Sequence, residues 1–273
     1  MPHAINKDTK VCMSLAGRPG NTGTRFHNHL YEALGLNYLY KAFTTTDLPA
    51  AIGGIRALGI RGCAISMPFK EDCIKHLDGL DPSAAVIDSV NTIVNDDGTL
   101  TGYNTDFLAV ASLLETHKVS PDLSLALRGS GGMAKAVAFA LREAGFKNGT
   151  IVARNPTAGR ALADACGYTW VDSLTDQRPE LIINVTPIGM AGGPEAEDLS
   201  FADEVIRQAK VVFDVVAMPS ETPLIKRARE LGKPVITGAE VVALQALEQF
   251  VLYTGIRPEP EQVEAAAVYS RAQ

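Results

Sequence analysis

One run, Gly129-Ser130-Gly131-Gly132-Met133-Ala134, constrains this chain more than any other. It lies between a strand-like apolar run at 123–128 and a helical pattern at 136–144 that stops at Gly145. Strand, glycine turn and helix in that order match G-x-G-x-x-[G/A], with Ala134 in the last slot. Glycine is needed there because backbone N–H groups must approach a pyrophosphate closely, and the helix N-terminus adds a partial positive charge. Gly129, Ser130, Gly131, Gly132, Met133 and Ala134 are therefore read as dinucleotide-binding. A tight turn without a ligand is the bland alternative, and the strand that follows weighs against it.

That next strand, 150–154, ends on Arg154, followed by Asn155 and Pro156. In a dinucleotide fold this strand end meets the adenosine ribose, and an acid would bind the 2′-OH of NAD. A guanidinium suits a 2′-phosphate instead, because its fork matches phosphate oxygens. The cofactor is read as NADP, with NAD the second choice, and Arg160 is close enough in sequence to assist. Asn155 and Pro156 also read as N-cap and first position of a helix.

Further strand-like runs at 181–185, 211–216 and 234–237 are short and apolar on consecutive positions, as in strands buried on both faces. A helical pattern at 222–231 precedes the last of them and ends at Gly232, with Pro234 soon after. Strands alternating with helices predict an α/β fold with a parallel sheet. The first 105 residues read as a separate unit, with helical patterns at 24–34 and 48–58 and short strands between and after them, including 62–67 and 90–94. Asn95-Asp96-Asp97-Gly98 predicts a hairpin turn. The last 36 residues, 238–273, read as helical, and periodicity alone does not say what they pair with.

Composition narrows the function classes. With 25 Lys and Arg against 31 Asp and Glu, the net charge is -6, which argues against non-specific nucleic-acid binding. No stretch is apolar enough to span a membrane, and the start of the chain shows no basic region followed by an apolar run, so a cytoplasmic location is expected. Cys12, Cys63, Cys73 and Cys166 form no C-x-x-C pair and read as reduced, buried thiols. His27 and His29 lie two apart, off a common helix face and without a matching cysteine or carboxylate cluster, so no metal is expected.

Two charged residues fit alcohol oxidation. Lys70 closes the run Ser66-Met67-Pro68-Phe69-Lys70 at the rim of a sheet, where Pro68 holds Met67 extended and stops the strand. Asp106 closes Gly102-Tyr103-Asn104-Thr105-Asp106, which leads from the hairpin toward the glycine-loop domain. Both are read as flanking the cleft between the two domains. Oxidising an alcohol takes a hydride from carbon and a proton from oxygen; a nicotinamide accepts the first and a positioned side chain the second. Taken singly, each residue also reads as a solvated surface charge.

These motifs, with Val90-Asn91-Thr92, Asn184-Val185-Thr186-Pro187, Gly189-Met190, Thr222-Pro223-Leu224 and the spacing from Gly238 to Gln245, recur in this order in shikimate dehydrogenases. The chain resembles that family over nearly its whole length. The resemblance implies two α/β domains. Residues 1–105 plus 238–273 would bind substrate, the C-terminal helices returning to the first domain, and residues 106–237 would form a Rossmann-like NADP domain. It implies reversible reduction of 3-dehydroshikimate to shikimate, in aromatic amino-acid biosynthesis. Lys70 and Asp106 match the family's catalytic pair; Ser66 stands where a Thr usually contacts substrate; Asn91 and Gln245 match residues that bond ring hydroxyls. Thr186, Val215 and Gly238 match positions on the nicotinamide side.

The departures are informative. A family Ser-x-Ser pair that binds the substrate carboxylate is replaced by Gly20-Asn21-Thr22-Gly23-Thr24-Arg25 ahead of His27-Asn28. Asn21, Thr22 and Thr24 remain as donors. Ala217 stands for a usual Tyr, Ala153 for a common Asn, Asn155 for a common Thr, and Glu240 adds a carboxylate near the cleft. This pattern resembles the shikimate dehydrogenase-like branch. The expected function is an NADP-dependent oxidoreductase for shikimate or a related cyclic hydroxy acid such as quinate, acting as monomer or homodimer. The alternative is a ligand-sensing or regulatory protein that kept the fold; the retained Lys70 and Asp106 weigh against it.

Overall fold

The computed structural model describes residues 5–271. Residues 1–4, on which the expected absence of a leader partly rests, and 272–273, the end of the helical tail, lie outside the described residues. The protein divides into two compact units: one runs to Thr105 and resumes at Ala243, the other is Asp106–Val242. The sequence sets the second crossing at 237/238, whereas the units divide one turn into the helix that begins there.

The first unit contains β1 (Lys10–Leu15), α1 (Thr22–Ala33), β2 (Tyr38–Phe43), α2 (Leu48–Ala57), β3 (Gly62–Ile65), β4 (Gly79–Leu80), α3 (Pro82–Ala85), β5 (Thr92–Asp96) and β6 (Thr99–Tyr103). Its sheet runs β2-β1-β3-β5-β6-β4 and is mixed. β1 is parallel to β2 and β3, and β5 is antiparallel to β3 and β6. The predicted hairpin joins β5 to β6. Asp97 (φ 50°) and Gly98 (φ 95°) form its two-residue loop in the left-handed region that such turns require. Asn95 Oδ1 accepts from the Gly98 N–H at 2.8 Å and holds the turn.

After the second unit, the chain returns through the later part of α9 (Gly238–Thr254) and α10 (Pro260–Arg271). Two arginines secure this return. Arg61 Nε donates to the Tyr253 carbonyl at 2.9 Å and its Nη2 to Leu252 at 3.2 Å, a cation on the carbonyl end of a helix. Arg25 Nη2 donates to the Tyr269 carbonyl at 2.8 Å and stacks on that ring. Gly62 has to be glycine, because a Cβ there would lie 2.1 Å from the Tyr253 ring.

The second unit begins in α4 (Thr105–Thr116) and contains β7 (Leu125–Arg128), α5 (Gly132–Glu143), β8 (Gly149–Val152), α6 (Pro156–Cys166), β9 (Thr169–Val171), β10 (Leu181–Asn184), α7 (Asp203–Gln208), β11 (Val211–Asp214), α8 (Pro223–Glu230) and β12 (Val235–Thr237). Its sheet, β12-β11-β10-β7-β8-β9, is parallel throughout. The apolar runs predicted this, because residues such as Leu127, Ile182 and Phe213 are fully buried. β9 escapes the sequence pattern: Thr169-Trp170-Val171 is only three residues and partly exposed. In the first unit β2 is the short strand expected between the two helical patterns, while β1 and β4 are likewise unpredicted. Capping agrees with the sequence: Asn155 Oδ1 accepts from Ala158 N–H at 3.1 Å, and Gly232 takes φ 67° after α8.

Candidate active site

In the first unit, β1 and β3 end side by side, with Leu15 in register with Ile65. Ligands of α/β sheets bind beyond such carboxyl ends. The Gly17 N–H donates to the Met67 carbonyl at 2.9 Å, which sets the chain leaving β1 against the segment leaving β3. In that segment Ser66 is exposed, Met67–Pro68 is cis, and Lys70 is half-buried. The Lys70 carbonyl accepts from the Val90 N–H at 2.9 Å, so the lysine is tied to the residue before Asn91.

Asn91 is the most fully determined side chain of this edge. It is buried, and its Oδ1 accepts from Thr92 Oγ1 (2.8 Å), the Thr105 N–H (2.8 Å) and Thr105 Oγ1 (3.1 Å). A backbone N–H can only donate, so the atom facing Thr105 must be the oxygen. Nδ2 is then the other end, and among the described residues it has no hydrogen-bond partner. A buried amide left this way costs about 1–3 kcal/mol. Gln249, also buried, donates from Nε2 to Thr92 Oγ1 at 3.0 Å and to the Asn91 carbonyl at 3.3 Å. Gln245 lies one helical turn before Gln249 on α9 and shares its face. Asp106 directly follows the pinned Thr105, in the first turn of α4.

At the start of α1, Asn21 is the N-cap residue but makes no side-chain capping bond, and Thr22 is exposed. The first turn carries no acidic residue. Its N–H groups have no partners within the helix, which favours an anion. Thr24 Oγ1 is buried without a partner among the described residues. His27 is wholly enclosed and stacks on Tyr40 at 4.4 Å; burial drives its pKa down to about 3, so the ring is neutral. His29 stacks on Tyr269 at 4.9 Å. Both histidines serve aromatic packing.

In the second unit, Gly129 has φ 131°, and a Cβ there would lie 2.7 Å from Val185. A side chain at Gly131 or Gly132 would meet no protein atom within 4 Å, so the exposed backbone at the start of α5 is open to a ligand. Ser130 and Met133 are half-buried, and Ala134 is buried. Arg154 is 78% exposed at the end of β8, with Nη1 3.8 Å from Glu195. Arg160 lies over the Trp170 ring at 4.2 Å.

Thr186 belongs to a buried polar chain. Its hydroxyl donates to Asn184 Oδ1 at 2.6 Å, Asn184 Nδ2 donates to Asp214 Oδ1 at 3.0 Å, and Thr222 Oγ1 donates to Asp214 Oδ2 at 2.7 Å. Burial pushes the Asp214 carboxyl up to about 6, although the bonds from Thr222, Val216 and Asn184 pull the other way. Val215 follows, its N–H donating to the Asn184 carbonyl at 3.0 Å. Gly238 packs so closely that a Cβ would lie 2.4 Å from the backbone of Val215 and Val216.

Residues 22–93 match the family described as the shikimate dehydrogenase substrate binding domain. The chain is 54% identical over 269 residues to a shikimate dehydrogenase-like protein of Haemophilus influenzae, covering 98% of this chain and 99% of that one. It is 36% identical to a shikimate dehydrogenase (NADP(+)) of Moorella thermoacetica, covering 89% and 88%. The chain belongs to the shikimate dehydrogenase family. Within it, the higher identity to the Haemophilus protein sets it in the shikimate dehydrogenase-like branch. The solved structure of shikimate 5-dehydrogenase from Thermus thermophilus, in complex with NADP(H) and shikimate, matches at TM-score 0.84 and 30% identity, covering 95% of this chain and 99% of that one. The two-domain α/β architecture of NADP-dependent shikimate dehydrogenases is thereby that of this chain.

Against the family pattern, Glu240 proves to have a structural task. Its Oε2 accepts from the Thr237 N–H and Oγ1, both at 2.7 Å, while the Glu240 N–H approaches Thr237 Oγ1 at 3.4 Å. This is a capping box that starts α9. Oε1 lies 2.9 Å from His117 Nε2. Burial opposes the charge of Glu240, but these partners outweigh it and hold the carboxyl below its usual range. The T-x-x-E spacing was visible in the sequence and points to this role. Gln249 was missed; its signal was the four-residue spacing from Gln245.

Two outcomes are expected. Glu240→Ala should lower stability by about 1 kcal/mol in thermal unfolding and leave the KM for an anionic substrate unchanged. A several-fold drop in KM at unchanged stability would instead make Glu240 a substrate-facing charge. For Asp214, a folded-state pKa above the unfolded value of 3.8 means stability present below about pH 4 and lost as pH rises through about 6. At about 1.4 kcal/mol per pKa unit, the unfolding free energy of wild type should fall against Asp214→Asn by on the order of 3 kcal/mol between pH 4 and 7. A gap independent of pH would show that the carboxyl titrates normally.

Proposed function

We propose that this protein is an NADP-dependent oxidoreductase that interconverts shikimate, or a related cyclic hydroxy acid such as quinate, with its 3-dehydro form. The observation that carries the reading is Asn91, whose saturated Oδ1 leaves Nδ2 as an unpaired buried donor beside the strand end that bears Ser66 and Lys70. A ring hydroxyl is the kind of acceptor that would relieve it. Ser66 and Gln245 supply further neutral hydrogen-bonding groups for a polyol. Asn21, Thr22 and the free N–H groups at the start of α1 replace the family's serines as the anchor for a carboxylate.

The glycine loop fits a dinucleotide because Gly131 and Gly132 leave open space at a helix N-terminus. Gly129 to Ala134 would hold the pyrophosphate, and Arg154 the ribose 2′-phosphate. Asn155, whose Oδ1 is engaged in its cap, is left to contribute from its backbone and amide nitrogen. Thr186, Val215 and Gly238 would border the nicotinamide, with Thr186 oriented by Asn184. When bound, NADP supplies the hydride acceptor. Lys70 takes or returns the proton of the reacting hydroxyl, and Asp106 orients the lysine and the substrate. The relatives, named as dehydrogenases, support this reading and not the ligand-sensing alternative. Its place would be aromatic amino-acid biosynthesis.

The test is Lys70→Ala assayed at the NADPH absorbance band with shikimate and with quinate. Turnover should fall about 10²–10⁴-fold, while NADPH affinity stays within about twofold. Unaltered turnover would remove Lys70 from the chemistry. A wild type that binds NADPH yet turns over neither substrate would refute the substrate class.

A further inference from the structure

Arg128 stands directly before Gly129, at the last position of a strand whose other residues are buried and apolar. β7 and β8 pair with Arg128 opposite Val152. β8 ends at Val152 and Arg154 follows two residues later, close enough for its charge to act on Arg128. Arg128 lies over the Phe201 ring at 5.3 Å. Its Nε is buried and has no hydrogen-bond partner among the described residues. Burial and the charge of Arg154 both lower its pKa, and Glu195 opposes them. Two guanidiniums are thus held at the ends of adjacent strands, with one carboxylate, 3.8 Å from Arg154, between them in charge. A half-buried cation beside a like charge is costly unless an anion joins it.

We infer that Arg128 is a specificity-determining residue that, with Arg154, grips the 2′-phosphate of the adenosine end of NADP. The inference rests on the NADP reading above and goes beyond it by adding a second guanidinium from the strand before the glycine loop. The two cations and Glu195 leave a net charge of about +1, and a phosphate monoester carries about -1.5 to -2. NAD, which lacks that group, leaves the two like charges with only Glu195 to offset them. Glu195 moderates affinity for the phosphate, so both arginines are needed to hold it. The Phe201 ring lies under the Arg128 guanidinium and helps to place it.

The experiment compares adenosine 2′,5′-bisphosphate with adenosine 5′-monophosphate by calorimetric titration. The proteins are wild type, Arg128→Met, Arg128→Lys and Arg154→Met, with thermal unfolding as the control for folding. Arg128→Met should weaken the bisphosphate by about tenfold to a hundredfold and change the monophosphate less than about threefold. Arg128→Lys, which keeps the charge without the fork, should fall between. Equal weakening of both ligands would reassign Arg128 to packing or to the adenine and overturn the inference. If Arg154→Met weakens the bisphosphate and neither Arg128 variant does, the inference fails while the NADP reading stands. A wild type indifferent to the 2′-phosphate, with Arg154→Met unchanged, would overturn both.

Discussion

The saturation of Asn91 Oδ1 is the interaction on which the substrate-side architecture depends. Three donors converge on one oxygen from two elements: the Thr92 hydroxyl on β5, and both the backbone N–H and the hydroxyl of Thr105, which starts α4. Gln249 adds α9 to the same cluster through Thr92. A polar network of this kind is stable inside a protein only when its members are paired, and among the described residues its open donor is the Asn91 amide nitrogen. The network fixes where α4 begins, and so where Asp106 stands in the chain, while the backbone bond from Val90 to Lys70 ties the lysine to the same strand end.

The second unit solves a different problem, an anionic ligand beside a parallel sheet. Gly129 takes a backbone conformation that disfavours side chains, and Val185 fills the space a Cβ would need. Gly131 and Gly132 are constrained by nothing in the protein, which is the behaviour of backbone left bare for a ligand. Charge follows the same division. Arg128 and Arg154 gather at the ends of β7 and β8, whereas the carboxylate of Glu240 is consumed in starting α9. A carboxylate that looks like a substrate-facing departure is therefore a helix cap.

Much of this was legible in the sequence. Unbroken apolar runs mark β7, β10 and β11 because parallel strands are buried on both faces. Asp97-Gly98 marks the hairpin because few residues accept positive φ. The glycine loop, Lys70, Asn91 and Gln245 stand out by motif. Less legible were β1 and β9, where exposed residues such as Lys10 and Thr169 break the apolar signal. Arg128 carries no signal of its own, because a charge at the end of a strand reads as solvent-facing until its neighbours are known. The stacking of Arg160 on Trp170 carries no sequence signal either, because the two residues are ten apart and meet only through the pairing of β8 with β9.

The central claim is that the Asn91 amide nitrogen receives a hydroxyl of a hydroxylated ring. Side-chain amide spectra of the ¹⁵N-labelled protein, with the Asn91 pair assigned and shikimate then titrated to saturation in the presence of NADP, test it most directly. The Asn91 amide protons should shift with the binding isotherm and exchange more slowly with water once bonded. An Asn91 signal that stays fixed while other resonances report shikimate binding would contradict the account.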